Sequence, residues 1–135
     1  MESASYGALD HRYDLYGADS DVEEFMKHVK TSIINGDKEW ISKHVDYPLE
    51  TTLDGENPIK IKTKKQLVAN FDKIFYQAYK DKIKSYCTCN LFSKDDGVML
   101  GSGLIWINNS PKSNAIIYDF NIIGINNSVE DLKLH

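Results

Sequence analysis

The chain has 135 residues, 41% of them apolar and 27% charged, which is the makeup of one globular domain and not of a disordered chain. Sixteen Lys and Arg stand against twenty Asp and Glu, and the net charge of −4 excludes an overall basic footprint for nucleic acid. No run approaches the roughly 18 consecutive apolar residues that a membrane span needs.

Residues 1–18 carry no clear period, but Tyr6, Leu9, Tyr13, Leu15 and Tyr16 give this arm enough apolar surface to dock on a domain. The arm shows neither a basic n-region nor an apolar h-region. The expectation is a cytoplasmic protein, or a periplasmic or secreted one if a signal peptide has been removed. Ser20 and Glu23 form a capping-box pattern, and Val22, Phe25, Met26, Val29 and Ile33 follow at helical spacing. Asn35-Gly36 is a helix stop, after which Asp37 can cap a short helix to about His44, with Trp40 and Ile41 facing inward. Tyr47-Pro48 ends that helix. Leu49 to Leu53 and Ile59 to Ile61 read as strands joined by a turn at Asp54-Gly55.

Thr63 and Gln66 form a second capping box, opening a helix to about Lys82 with Leu67, Phe71, Ile74, Phe75 and Ala78 on one face. Beyond it the period changes to two. Ile83 to Phe92, Val98 to Asn108 and Ala115 to Ile125 read as three long strands, the first two separated by a turn at Asp95-Asp96-Gly97. Residues 126–135 are polar and expected to fray. The chain therefore divides into an arm over 1–18, a domain over 19–126 and a tail over 127–135. Helices collected ahead of a run of antiparallel strands indicate an α+β fold with helices on one face of a curved sheet. Gly101 and Gly103 suit a sheet that bends.

This order, together with particular stretches, resembles the NTF2-like (SnoaL-like, cystatin-like α+β) superfamily. Val45-Asp46-Tyr47-Pro48-Leu49 is similar to a turn segment of its small bacterial members. Leu91-Phe92 followed by Gly97 to Ile107, with Gly101, Gly103 and Trp106, is similar to their strand pair, and Ile122 to Asn126 to their last strand. The resemblance covers about residues 20–126. It implies a cone of helices on a curved mixed or antiparallel sheet, with a pocket between helix and concave face, and often an exported protein. The superfamily holds isomerases, dehydratases, epoxide hydrolases, transport factors, immunity proteins and binding domains, so fold does not carry activity with it.

The enzymes of this superfamily place an Asp, a Tyr or a His in the pocket. On the last strand Asp119 and Asn121 share a face with Ile117, Ile123 and Ile125, so a carboxylate and an amide sit in an apolar row. A buried Asp119 could act as a general base, with Tyr47 or Tyr79 polarising a carbonyl. The alternative places Asp119 at a wet rim and the tyrosines at the edge of the core. Trp106, Asn121, Tyr76 and Tyr86 are candidate ligand-binding residues; Trp106, placed by strand parity with Val98 and Leu100, reads either as core or interface or as a stacking wall.

Glu24 and His28 lie four apart on one helix, too few ligands for a metal, and His28 reads as solvated and His44 as a partner of the helix dipole. Cys87 and Cys89 fall on one face of the expected strand. Alternate strand residues lie near the upper limit for a bridge, so two small apolar side chains are expected in place of a disulfide or a zinc site. The lysines at 60, 62, 64, 65, 80, 82 and 84 read as a solvated face. No phosphate-binding glycine loop, nucleophile elbow or zinc-protease motif occurs, and no cofactor is implied. Two readings follow. One is a non-catalytic ligand- or protein-binding domain, in one version an immunity or periplasmic interaction protein, dimerising through its sheet face. The other is a small cofactor-free lyase or isomerase using Asp119 with Tyr47 or Tyr79.

Overall fold

The computed structural model describes residues 19–89, 91–94, 97–101, 103–111 and 118–133, with side chains described at all of these except 19, 20, 94, 109–111, 118 and 119. The N-terminal arm 1–18, the turn residues Asp95 and Asp96 and the expected strand residues Ala115 to Ile117 lie outside the described residues.

Helix α1 (Asp19–Asn35) buries the expected stripe of Val22, Met26, Val29 and Ile33. Ser20 lies inside this helix and so does not cap it. Its C-terminus closes as anticipated. Gly36 takes a positive φ of 78°, the Asp37 amide reaches back to Ser32 O (2.8 Å) and the Gly36 amide to Ile33 O (3.3 Å). That pair of bonds satisfies carbonyls the helix would otherwise leave open. Asp37 then caps α2 (Lys38–Lys43), its side chain accepting from the Trp40 amide at 3.2 Å.

The hairpin β1 (Leu49–Leu53) and β2 (Asn57–Ile61) pairs Leu49 with Ile61 and Leu53 with Asn57. Asp54 and Gly55 both adopt positive φ at its turn, as a tight hairpin requires. Thr63 caps α3 (Lys64–Ala69) by accepting from the Gln66 amide, while Gln66 Oε1 accepts from the amide of Lys62.

The single helix expected through Lys82 is instead three: α3, α4 (Phe71–Ile74) and α5 (Gln77–Lys84). The break has a tertiary cause. At the end of α4, Lys73 O accepts from the Asp54 amide of the hairpin turn (2.7 Å) and Ile74 O from Asn127 Nδ2 (2.7 Å). Tyr76 is extended, so α5 restarts in a new phase and buries Tyr79 and Ile83 while Ala78 is exposed. Because Ile83 belongs to this helix, the long strand expected from Ile83 shrinks to β3 (Phe92–Lys94).

The second expected strand also divides. β4 (Gly97–Leu100) and β5 (Ile105–Pro111) form a hairpin that turns at Gly101 (φ 64°) and Gly103 (φ 102°), a backbone region that side chains with a Cβ rarely adopt. With β6 (Tyr118–Gly124) they make an antiparallel meander in the order β3-β4-β5-β6. The open edge of β6 takes one parallel bridge, Val45 to Ile122. Ile122 N donates to His44 O (2.6 Å), and Ile122 O accepts from Asp46 N (2.9 Å).

The molecule is thus α+β, with helices and antiparallel sheets. One core joins Met26 and Ile33 of α1, Phe71, Phe75 and Tyr79 of the later helices, and Val98, Leu100, Ile107 and Ile122 on the inner face of the meander. The C-terminal stretch, expected to fray, is tied down. Ser128 and Asp131 exchange side-chain-to-amide bonds at the start of α6 (Val129–Lys133), a reciprocal capping box.

Candidate functional site

The phenols proposed for carbonyl polarisation are already engaged. Tyr47 donates to Ser42 O at 2.7 Å, and burial pushes its ionisation up to about 12. Tyr79 is fully buried and donates to Leu104 O at 2.5 Å, tying α5 to the β4–β5 turn; burial holds it well above the ordinary phenol range. Tyr76 donates to Asn127 O at 2.5 Å and is also raised, chiefly by burial, with Asp131, Asp54 and Glu56 adding to the effect. Each is a neutral donor fixing a main-chain carbonyl. Tyr86 is half-buried at the end of α5, where its own carbonyl accepts from Lys30 Nζ at 2.5 Å. The backbone of Asp119 pairs with Ser110 in the β5–β6 ladder; its side chain lies outside the described residues.

Cys87 and Cys89 depart from the expected strand. They sit in an exposed turn after α5, not on a strand, and they are bonded to each other as a disulfide with Cα atoms 5.1 Å apart. The expectation of free thiols on a strand face fails because α5 runs on to Lys84, and the chain then turns sharply before β3.

Trp106 also changes sides. The hairpin turn between β4 and β5 resets the alternation, so Trp106 pairs with Met99, not in line with Val98 and Leu100. Val98 and Ile107 are buried on the inner face. Phe92, Met99 and Trp106 therefore form a row across three strands on the outer face. The indole of Trp106 lies across Gly97, where any Cβ would run into it. Asn108 and Asn121 oppose each other on the same outer face, and Ile123 continues it along β6. Phe92 is 45% exposed, while Met99, Trp106, Asn121 and Ile123 are partly exposed. Trp106 Nε1 and Asn108 Oδ1 are enclosed without a hydrogen-bond partner among the described residues.

Two other features escaped the sequence reading. Asn127, 1% exposed, clasps three elements. Its Oδ1 accepts from Thr51 Oγ1, Thr52 Oγ1 and the Thr52 amide, and its Nδ2 donates to Thr52 O and Ile74 O. No local period marks it, since its partners are more than fifty residues away. The second is a stack in which Trp40 lies between two imidazoles, His28 at 3.9 Å and His44 at 4.0 Å between ring centroids. Phe25 packs beside it and stacks on Phe120 of β6. The spacing of Trp40 and His44 carried this signal, since residues four apart on a helix meet.

An open groove of about 520 Å³ runs between the hairpin and the C-terminal stretch, lined among others by Glu50, Thr52, Lys60, Ile125, Asn126 and Asp131. Glu50 and Lys60 pair across its rim at 3.8 Å, and the polar atoms of Thr51 and Asn127 along its wall are spent on each other. Its chemistry is that of a satisfied seam between elements. No group of three or more His, Cys, Asp or Glu side chains able to hold a metal occurs among the described residues. No helix among them is long and apolar enough to cross a membrane. Comparison with protein-family models, with curated proteins and with solved structures finds no match for this chain.

Proposed function

We propose that this chain is a non-catalytic protein-binding domain of NTF2-like type, and that it binds a second copy of itself through the outer face of the meander. The observation that carries the reading is the apolar row of Phe92, Met99 and Trp106, extended by Ile123, on a face turned away from the core. A sheet face turned to water ordinarily shows polar alternation. An apolar sheet face of this kind suits another protein surface, whereas small ligands are held in concave pockets. A row perpendicular to the strands can lie on its own copy about a two-fold axis, and Asn108 and Asn121 supply a polar margin. The engagement of Tyr47 and Tyr79 with main-chain carbonyls supports binding over lyase or isomerase chemistry. The helices packed on one face of a sheet, with the parallel link at Val45, support the NTF2-like assignment. The bridge between Cys87 and Cys89 accords with a periplasmic or secreted location.

Sedimentation velocity over a concentration series tests the reading. The expected result is a reversible dimer that Met99→Glu weakens by about tenfold or more, the equivalent of 1.4 kcal/mol, with an unchanged circular dichroism spectrum. A monomer at every concentration, or a dimer indifferent to both Met99→Glu and Phe92→Glu, overturns it.

A further inference from the structure

The exposed turn after α5 has a chemistry the binding face does not use. The bridge there joins residues two apart in sequence, so it closes almost no loop and removes little entropy from the unfolded chain. The chain leading into the bridge is anchored by other bonds. Ser85 N and Oγ bond Lys82 O, the Tyr86 amide bonds Ile83 O, and Lys30 Nζ of α1 holds Tyr86 O at 2.5 Å. Both cysteines are exposed. A bridge that is open to solvent and closes so short a loop is suited to exchange more than to stapling.

The two sulfurs are not equivalent. The Cys89 amide donates to Cys87 Sγ at 3.2 Å, and the Lys30 ammonium is held at the residue just before Cys87. A thiolate forming on Cys87, next in the chain to the carbonyl that holds Lys30, is therefore met by the Cys89 N–H, while these bonds give Cys89 Sγ no donor. We infer that Cys87 and Cys89 form a reversible thiol–disulfide exchange centre for low-molecular-weight monothiols, with Cys89 the sulfur attacked and Cys87 the leaving group.

A monothiol thiolate attacks Cys89 Sγ, the bond between Cys87 and Cys89 breaks, and its electron pair passes to Cys87 Sγ. A mixed disulfide remains on Cys89. A second monothiol thiolate attacks the monothiol sulfur of that adduct and releases Cys89 as a thiolate and a small disulfide. The two cysteine thiolates take the two protons that the monothiols gave up. Two monothiols are oxidised to one disulfide while the protein bridge is reduced by two electrons, and the reverse sequence reduces the small disulfide.

The test equilibrates the full chain with mixtures of reduced and oxidised glutathione, quenches with acid, alkylates and reads intact mass and peptide maps. The expected result is a reversible two-thiol interconversion within the glutathione range and a native circular dichroism spectrum in both forms. With oxidised glutathione, Cys87→Ser should retain an adduct on Cys89. In wild type at limiting reduced glutathione, the trapped adduct should favour Cys89 over Cys87 by about threefold or more. Overturning results are a bridge that reduced glutathione opens only in denaturant, loss of the native spectrum on reduction, a dithiol that oxidised glutathione does not close, or an adduct chiefly on Cys87.

Discussion

Replacing Asn127 by Ala removes a clasp whose cost can be worked bond by bond. The two threonine hydroxyls can turn elsewhere; Thr51 Oγ1 already lies 3.0 Å from Ile125 O. Three main-chain groups cannot turn. Ile74 O loses its donor at 2.7 Å in a buried setting, and the half-buried Thr52 loses partners on both its amide and its carbonyl. An orphaned buried group costs about 1–3 kcal/mol, with half-buried groups at the lower end, so the sum is about 3–4 kcal/mol. That is a large share of the roughly 5–15 kcal/mol available to a domain, and it corresponds to a fall in Tm of about 12–16 °C. Urea denaturation followed by circular dichroism measures it. Asn126→Ala is the control, since Asn126 is exposed and, among the described residues, its side chain bonds Gly103 O, a bond worth about 1 kcal/mol or less. If Asn127→Ala lies within about 1 kcal/mol of wild type, the reasoning that Asn127 joins the hairpin, α4 and the C-terminal stretch is refuted.

Alkaline conditions should reveal the buried phenols. Burial raises Tyr47 to about 12 and holds Tyr79 well above the ordinary phenol range, while in the unfolded chain both ionise near 10. Unfolding above that value releases protons, so stability is full below about pH 10 and falls as pH rises through the folded values. Denaturation midpoints at rising pH should show that fall and a shallower one in Tyr79→Phe; an equal slope in both proteins would contradict the assignment. Gly97→Ala drives a methyl into the Trp106 indole and is expected to cost about 1–3 kcal/mol, with a shift in tryptophan emission. Unaltered emission and stability would argue against the indole lying on Gly97. Trp40→Leu keeps much of the apolar volume but dissolves the stack with His28 and His44, and should cost about 0.5–1.5 kcal/mol beyond the change in burial. A double-mutant cycle with His44→Ala reads the coupling directly, and additive losses would remove it.

Local signals decided local structure in this chain. The stripe of Val22, Met26, Val29 and Ile33, the stop at Gly36, the Asp37 and Thr63 caps and the Asp54-Gly55 turn all act within a few residues, where backbone chemistry and side-chain period suffice. The errors arose where a distant segment competes for the same main-chain groups. The expected long helix breaks because the hairpin turn and Asn127 take the carbonyls of Lys73 and Ile74. The alternating residues from Ile83 to Cys89 resembled a strand, yet Ile83 is claimed by a helix that the core needs in order to bury Tyr79. A two-residue period cannot show where a strand folds back on itself. The turn at Gly101 and Gly103 therefore reversed the side of the sheet on which Trp106 stands. Composition and spacing determined an α+β chain with helices and a short hairpin ahead of a run of antiparallel strands. Only the tertiary structure decided which phenols were spent as internal donors, which cysteines could meet, and which apolar residues were left on the outer face. The bonds of Tyr79 to Leu104 and of Tyr76 to Asn127 join residues far apart in the chain, and the fold-back at Gly101 and Gly103 leaves no mark in a two-residue period.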